Sequence, residues 1–129
     1  MTKYKSSGVF QSFKFALRGI LASLKSQLNF RIEFLLAIMS YVMAFYLRFT
    51  YVELALLTIT IALMLFAEMI NTVIEFVVDA YFGNKFSVLA KMAKDIAAGA
   101  VTIVAILTLL VGVLLFFPKI FAILVFKFR

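Results

Sequence analysis

The sequence predicts an all-α membrane protein: an N-terminal amphipathic surface helix followed by three transmembrane helices in one domain. Two observations carry this. Of the 129 residues, 66% are hydrophobic, with a mean hydropathy of +1.14, against about 45–50% apolar residues in ordinary soluble domains. The apolar residues are also gathered into three long runs separated by short polar turns, as bilayer-spanning helices require.

The amphipathic helix is expected within residues 1–28. Residues 1–7 (MTKYKSS) read as a polar, disordered leader, and the lysines and arginines before position 26 leave no cleavable signal. Phe10, Phe13, Leu17, Ile20, Leu21 and Leu24 then recur at helical spacing, with Lys14, Arg18 and Lys25 mostly off that side. Such a helix lies in the membrane interface, as a topology anchor or as part of a site.

The first span is expected over 30–48, although its uninterrupted run FLLAIMSYVMAFYL is only 14 residues. Arg31 and Glu33 therefore belong at the interface. The second span, 52–79, exceeds the roughly 20 residues that a bilayer needs. A turn at Gly83-Asn84 and a polar loop lead to the third span, 96–117, closed by Pro118. That span opens with Ala97, Ala98, Gly99 and Ala100, small enough for a helix or ligand to approach closely. The tail KIFAILVFKFR is too short to span again and is expected to lie at the interface.

Three spans place the N-terminus and the 80–95 loop on one side, with nine of the thirteen Lys and Arg residues. The other side keeps Arg48, Lys119, Lys127 and Arg129. The positive-inside rule makes the nine-residue side cytoplasmic. The net charge of +7 is thus explained by topology and anionic headgroups, and nucleic acid is not an expected partner.

With no cysteine and no histidine, thiol chemistry and ordinary zinc sites are excluded. The polar residues that stand out lie in the second span: Glu68, Asn71, Glu75 and Asp79. At about 100° per residue they share one narrow stripe on an otherwise apolar helix. An unpaired carboxylate at mid-membrane costs about 2.5–3.5 kcal/mol on insertion scales, so the stripe must face a bundle interior or a wet cavity. Three helices make a thin bundle, which points to an oligomer that encloses it. Near the cytoplasmic boundary two carboxylates one turn apart suit Mg²⁺, completed by water and phosphates. Lys91, Lys94 and Asp95 follow at the start of the third helix. Lys94 can be a snorkelling interfacial lysine. Beside the acidic stripe it also suits a polyphosphate, with backbone N–H groups of the helix start as further donors. None of the five glycines forms a Walker A or GxGxxG loop.

The segment AEMINTVIEFVVDA followed by KMAKDIAAGAV resembles the small bacterial integral-membrane lipid kinases, the diacylglycerol kinase and undecaprenol kinase family. Their pattern is E-x-x-N-[ST]-x-[IV]-E-x-x-[VI]-D, a polar loop, then A-K-D-x-[AG]-[AS]-[AG]-A-V. SFKFALRGI and NFRIE upstream also fit, so the resemblance covers about residues 11–118. DIAAGAV and the F-P ending look closer to the undecaprenol kinase branch.

The resemblance implies a homotrimer in the bacterial cell membrane, with active sites between subunits near the cytoplasmic face. It implies transfer of the γ-phosphoryl group of ATP-Mg²⁺ to a membrane lipid alcohol, undecaprenol ahead of diacylglycerol. By position Glu68 would be the general base and Glu75 would bind Mg²⁺. Asn71, with Asp79 and Ala98, would meet the substrate. Lys94 would neutralise ATP phosphates, supported by Asp95, and Phe15 would border the nucleotide.

The sequence departs from the family twice. Gln27 stands where a second metal-binding glutamate is usual, and Lys85 and Ser87 stand near the places of a loop Glu and His. These departures leave a catalytically degenerate member as one alternative. A small proton-coupled transporter is the other, since membrane glutamates serve there too.

Overall fold

The computed structural model describes residues 8–83 and 85–127. The N-terminal leader, Asn84 of the expected turn, and Arg129 lie outside the described residues. Four helices make up the described chain: α1 (Val9–Ser26), α2 (Leu28–Tyr46), α3 (Tyr51–Phe82) and α4 (Val88–Lys127). Three of them, α2 to α4, are long and apolar enough to cross a membrane. Helices α3 and α4 form the principal antiparallel pair, with α2 against α3 and α1 against α2.

A single non-helical residue, Gln27 (φ −113°, ψ 119°), separates α1 from α2. Its N–H still donates to the Ser23 carbonyl at 2.9 Å, so the two helices meet in a tight elbow. Phe30, 2% exposed, and Ser23 are buried there.

The α2–α3 turn is held more elaborately. Thr50 caps α3: its Oγ1 accepts from the Glu53 N–H (3.3 Å), and Glu53 Oε2 accepts from the Thr50 N–H (2.6 Å). This reciprocal box satisfies two donors that a helix start otherwise leaves free. The same Glu53 Oε2 lies 3.0 Å from Lys119 Nζ of α4, and Lys119 sits 5.6 Å from the Phe49 ring centre. Phe49 in turn packs on Phe116, centroids 4.8 Å apart, in a cluster with Ala44, Leu47 and Leu57. The turn also holds Arg48 at φ 53°, a conformation uncommon outside glycine. Thr50→Ala is therefore expected to lower stability by about 1 kcal/mol, measured as a shift of the unfolding midpoint in mixed SDS micelles.

Helices α3 and α4 run past the spans expected within them, most clearly α4, whereas α2 ends at Tyr46, two residues before the expected end. Helix α4 starts eight residues earlier, at Val88, and passes straight through Pro118. Proline removes only its own N–H bond to the preceding turn, and neighbouring contacts make such interruptions tolerable in membrane helices. Here Phe116 and Lys119, on either side of Pro118, are both tied to the α2–α3 region. At the other end α3 stops at Gly83, whose φ of 56° and ψ of −130° suit a residue without Cβ.

Large apolar side chains are exposed along the outer faces of α2, α3 and α4. So wide an apolar exterior suits hydrocarbon rather than water.

Candidate functional site

Glu68 is only 3% exposed on α3. Thr72, one turn on, is also buried, and its Oγ1 donates to the Glu68 backbone carbonyl at 2.9 Å. That bond leaves the Glu68 carboxylate free for other partners. Asn29 of α2 and Glu75 are both near enough to Glu68 to act on it electrostatically. Asn71 Nδ2 donates to Glu75 Oε1 at 3.2 Å. Its Oδ1 is buried without a partner.

A third acid joins this group from α2. Glu33 interacts electrostatically with Glu68, and its Oε2 is buried without a partner. The described residues contain two salt bridges, Lys94–Asp79 and Lys119–Glu53. Glu33, Glu68 and Glu75 therefore carry no ion pair among the described residues. Three unneutralised acids on apolar helices create a local demand for a cation.

Toward the end of α3 the polar surface opens into a cleft of about 330 Å³ against the start of α4. Asp79, Lys85, Ser87, Lys91, Lys94 and Asp95 line it. The structure thus gathers residues that the sequence singled out at separate places. Lys94 Nζ lies 2.5 Å from Asp79 Oδ1, with both side chains partly open to solvent. Asp79 lies eleven residues beyond Glu68, about 16 Å along the helix axis, with Asn71 and Glu75 between. Asp79 lies in the cleft, and the other three follow it along the same stripe of α3 toward the buried acid.

One part of the expected geometry changes. Because α4 begins at Val88, Lys94 lies in its second turn rather than at its start. The free N–H groups belong to the first turn, and Ser87 takes one of them, accepting from the Ala90 N–H at 3.4 Å. Ser87 is therefore a helix cap in the cleft wall. Lys94 acts through its own charge.

Other expected residues stand apart. Gln27 is half-buried at the α1–α2 elbow, with no hydrogen bond to Glu75 among the described residues. The Phe15 ring has the Arg18 guanidinium 5.9 Å from its centre, on its own helix. Ala98 is exposed, whereas Ala97 is 5% exposed. Ala97 and Asn71 share a groove of about 530 Å³ between α3 and α4, walled by Ala67, Ala93 and Ala100. The small-residue face that meets α3 is thus that of Ala93, Ala97 and Ala100.

Asn29 and Glu33 were not among the expected site residues. The signal was present: Glu33 is the only acid of α2. At the head of an apolar run it reads equally well as a boundary marker.

The family model for prokaryotic diacylglycerol kinases matches residues 14–116, which contain the acidic stripe, the cleft lysines and Gln27. The chain belongs to this family. It is 36% identical over 114 residues to a diacylglycerol kinase of Synechocystis, covering 88% of this chain and 65% of that protein. To the undecaprenol kinase of Bacillus subtilis it is 36% identical over 110 residues, 85% of this chain and 89% of the relative. A diacylglycerol kinase of Haemophilus influenzae is 31% identical over 118 residues, 88% of this chain and 99% of that protein. The two 36% matches bear the names of different acceptors, so identity alone does not separate diacylglycerol from undecaprenol.

A prokaryotic diacylglycerol kinase implies a nucleotide and a divalent metal, and the residues present fit both. The orphaned Asn71 Oδ1 and the Glu75 carboxylate are hard oxygen donors of the kind Mg²⁺ prefers. Among the described residues no cluster of three acidic side chains could hold an ion by itself. That suits Mg²⁺, which keeps waters and substrate phosphates in its shell. The Lys91 and Lys94 side chains in the cleft suit phosphate oxygens.

Proposed function

We propose that the protein is a membrane lipid kinase that transfers the γ-phosphoryl group of ATP to the hydroxyl of a lipid alcohol, with undecaprenol preferred to diacylglycerol. The observation that carries this is Glu68, a buried carboxylate with no ion-pair partner among the described residues, on the same helix stripe as Asp79 of the lysine-lined cleft. A structural acid would be paired. A base that accepts a proton from a membrane-dissolved hydroxyl must be both buried and free.

In this reading the ATP phosphates lie in the cleft beside Lys94, with Lys91 and Lys85 adding positive charge. Asp95 and Asp79 hold the lysines in place, and Phe15 borders the base. Asn71 orients the reacting phosphoryl group and Glu75 is the principal metal donor. Glu75, with the Asn71 Oδ1, would hold Mg²⁺, which would supply positive charge against the negative charge that develops on the phosphates. The lipid hydroxyl gives its proton to Glu68 as its oxygen attacks the γ-phosphorus, and ADP leaves. Glu33 and Asn29 position the Glu68 carboxylate. Most of the rate gain would come from positioning and charge neutralisation.

The many exposed apolar faces and the single-sided acid cluster support a homotrimer that closes each site with a second copy. The charge asymmetry supports cytoplasmic placement of the cleft and the N-terminus, with α1 in the interface of the cell membrane.

Gln27 favours a second reading, a degenerate member that binds nucleotide without turnover. The two readings separate in mixed micelles with Mg²⁺ and ATP. A kinase consumes ATP in proportion to added lipid alcohol, undecaprenol before diacylglycerol. A degenerate member shows no lipid-dependent consumption. If Gln27 faces the metal, Gln27→Glu restores a negative charge and lowers the Mg²⁺ concentration for half-maximal activity by about tenfold, the equivalent of about 1.4 kcal/mol. An unchanged Mg²⁺ profile removes Gln27 from the metal shell.

A further inference from the structure

Helices α2 and α4 differ in length in a way that the fold does not use. Between Arg31 and Arg48, α2 and its turn rise about 25 Å at 1.5 Å per residue. That is less than the roughly 30 Å hydrocarbon layer of a bilayer. From Ile96 to Phe126, α4 rises about 45 Å, with Lys119 the one charged residue in the run. Lys119 is fixed level with the α2–α3 turn by its pairing to Glu53 at 3.0 Å and by the neighbouring Phe49–Phe116 contact. When the Arg31 end lies at one membrane boundary, the turn stops about 5 Å short of the other. The α4 turns after Lys119 rise about 10 Å further.

Those turns have no polar side. Ile120, Phe121, Ile123, Leu124, Val125 and Phe126 are all exposed, and at about 100° per residue they point in every direction. A helix lying flat in the interface needs a polar face. A second protein helix would cover one side and leave the others in water. Acyl chains cover all sides. The sequence continues with Lys127 and Arg129, residue types that settle at anionic headgroups.

We propose that the α4 turns Ile120–Phe126 pass through the last acyl layer of the leaflet beyond the α2–α3 turn, with Ile120 and Phe121 among the acyl chains and Phe126 at the level of the headgroups. Helix α4 alone then reaches that headgroup layer, and the Glu53–Lys119 pair lies beneath it. This rests on α2 to α4 crossing the membrane and is independent of the lipid kinase reading. The pair is equipped for such a place. Glu53 is held by the Thr50 N–H and by Lys119, and the Phe49 ring lies beside the Lys119 ammonium, so neither charge is left bare.

The chain has no tryptophan and no cysteine, so single reporters need no background substitutions. Phe117→Trp, Phe121→Trp and Phe126→Trp in vesicles are compared using lipids brominated at defined acyl depths and aqueous acrylamide. The expected result is quenching by acyl bromines severalfold stronger than by acrylamide at 117 and 121, with position 126 shallower than 117 by roughly 13 Å, at the headgroup level. Phe121→Cys in the full chain is expected to resist a membrane-impermeant maleimide in vesicles and to label after SDS unfolding. Acrylamide quenching at position 121 like that of free tryptophan, or rapid labelling of the introduced thiol in intact vesicles, would place these turns in water. Equal shallow depths would mean that they lie flat, and protection from both quenchers would mean a protein partner. Each of these overturns the proposal.

Discussion

Glu68→Gln is expected to lower lipid phosphorylation by about 10²–10⁴-fold while leaving the protein as stable as before, or more so. The rate loss is the usual scale for removing a positioned general base, since an amide of the same shape cannot take up the hydroxyl proton. The stability expectation follows from burial. Glu68 is 3% exposed and has no ion-pair partner among the described residues, so its charged form is costly in an apolar helix and a neutral amide costs less. Thr72 bonds to the Glu68 backbone rather than to its side chain, so α3 keeps that contact. Activity and stability should therefore move in opposite directions or independently. Initial rates with a saturating lipid alcohol, set beside SDS-micelle unfolding, measure both. If the variant turns over within a fewfold of the parent, the proton goes elsewhere. If it loses activity and stability together, the acid is structural.

Lys94→Ala is expected to reduce kcat/KM for ATP by about 10–100-fold, with the lipid KM unchanged. One charge-assisted hydrogen bond to a phosphate contributes about 1.5–3 kcal/mol, which sets that range. The same substitution breaks the ion pair with Asp79, but both partners are partly solvent-exposed, and such pairs contribute about 1 kcal/mol or less. The catalytic effect thus exceeds the stability effect, unlike that of an interfacial anchor. Lys94→Arg should recover part of the activity, because it keeps the charge but moves the donors. A Lys94→Ala protein with an altered lipid KM and an unaltered ATP KM would assign the cleft to the lipid.

The acidic stripe was legible in the sequence because helix periodicity alone places Glu68, Asn71, Glu75 and Asp79 on one side of α3, and no tertiary information is needed. The closeness of Asp79 to Lys94 was less open to inspection, since it depends on how α3 and α4 are registered across the turn. That register is fixed at one end by the cleft and at the other by Glu53 and Lys119, which are 66 residues apart in sequence. Pro118 misled for a related reason: the local rule that proline ends a helix gave way to contacts on both of its sides. Asn29 and Glu33 were hidden because their meaning lies in what they face. On α2 they are an ordinary amide and a boundary acid, and only its packing on α3 turns them toward Glu68. Ala97 and Ala98 differ by about 100° around α4, and nothing local says which of two adjacent alanines meets α3.

A buried acid and cleft lysines on one helix pair also suit proton relays and transport. What distinguishes a kinase is that phosphorus moves from the nucleotide to the lipid. The most direct measurement supplies ATP labelled at the γ-phosphate, with Mg²⁺, to the purified protein and a panel of lipid alcohols, and extracts the lipids. The expected result is label in a monophosphorylated lipid, strongest with undecaprenol, and none above background with Glu68→Gln. Label that stays in ATP, or appears only as free inorganic phosphate whatever lipid is present, would contradict the lipid kinase reading.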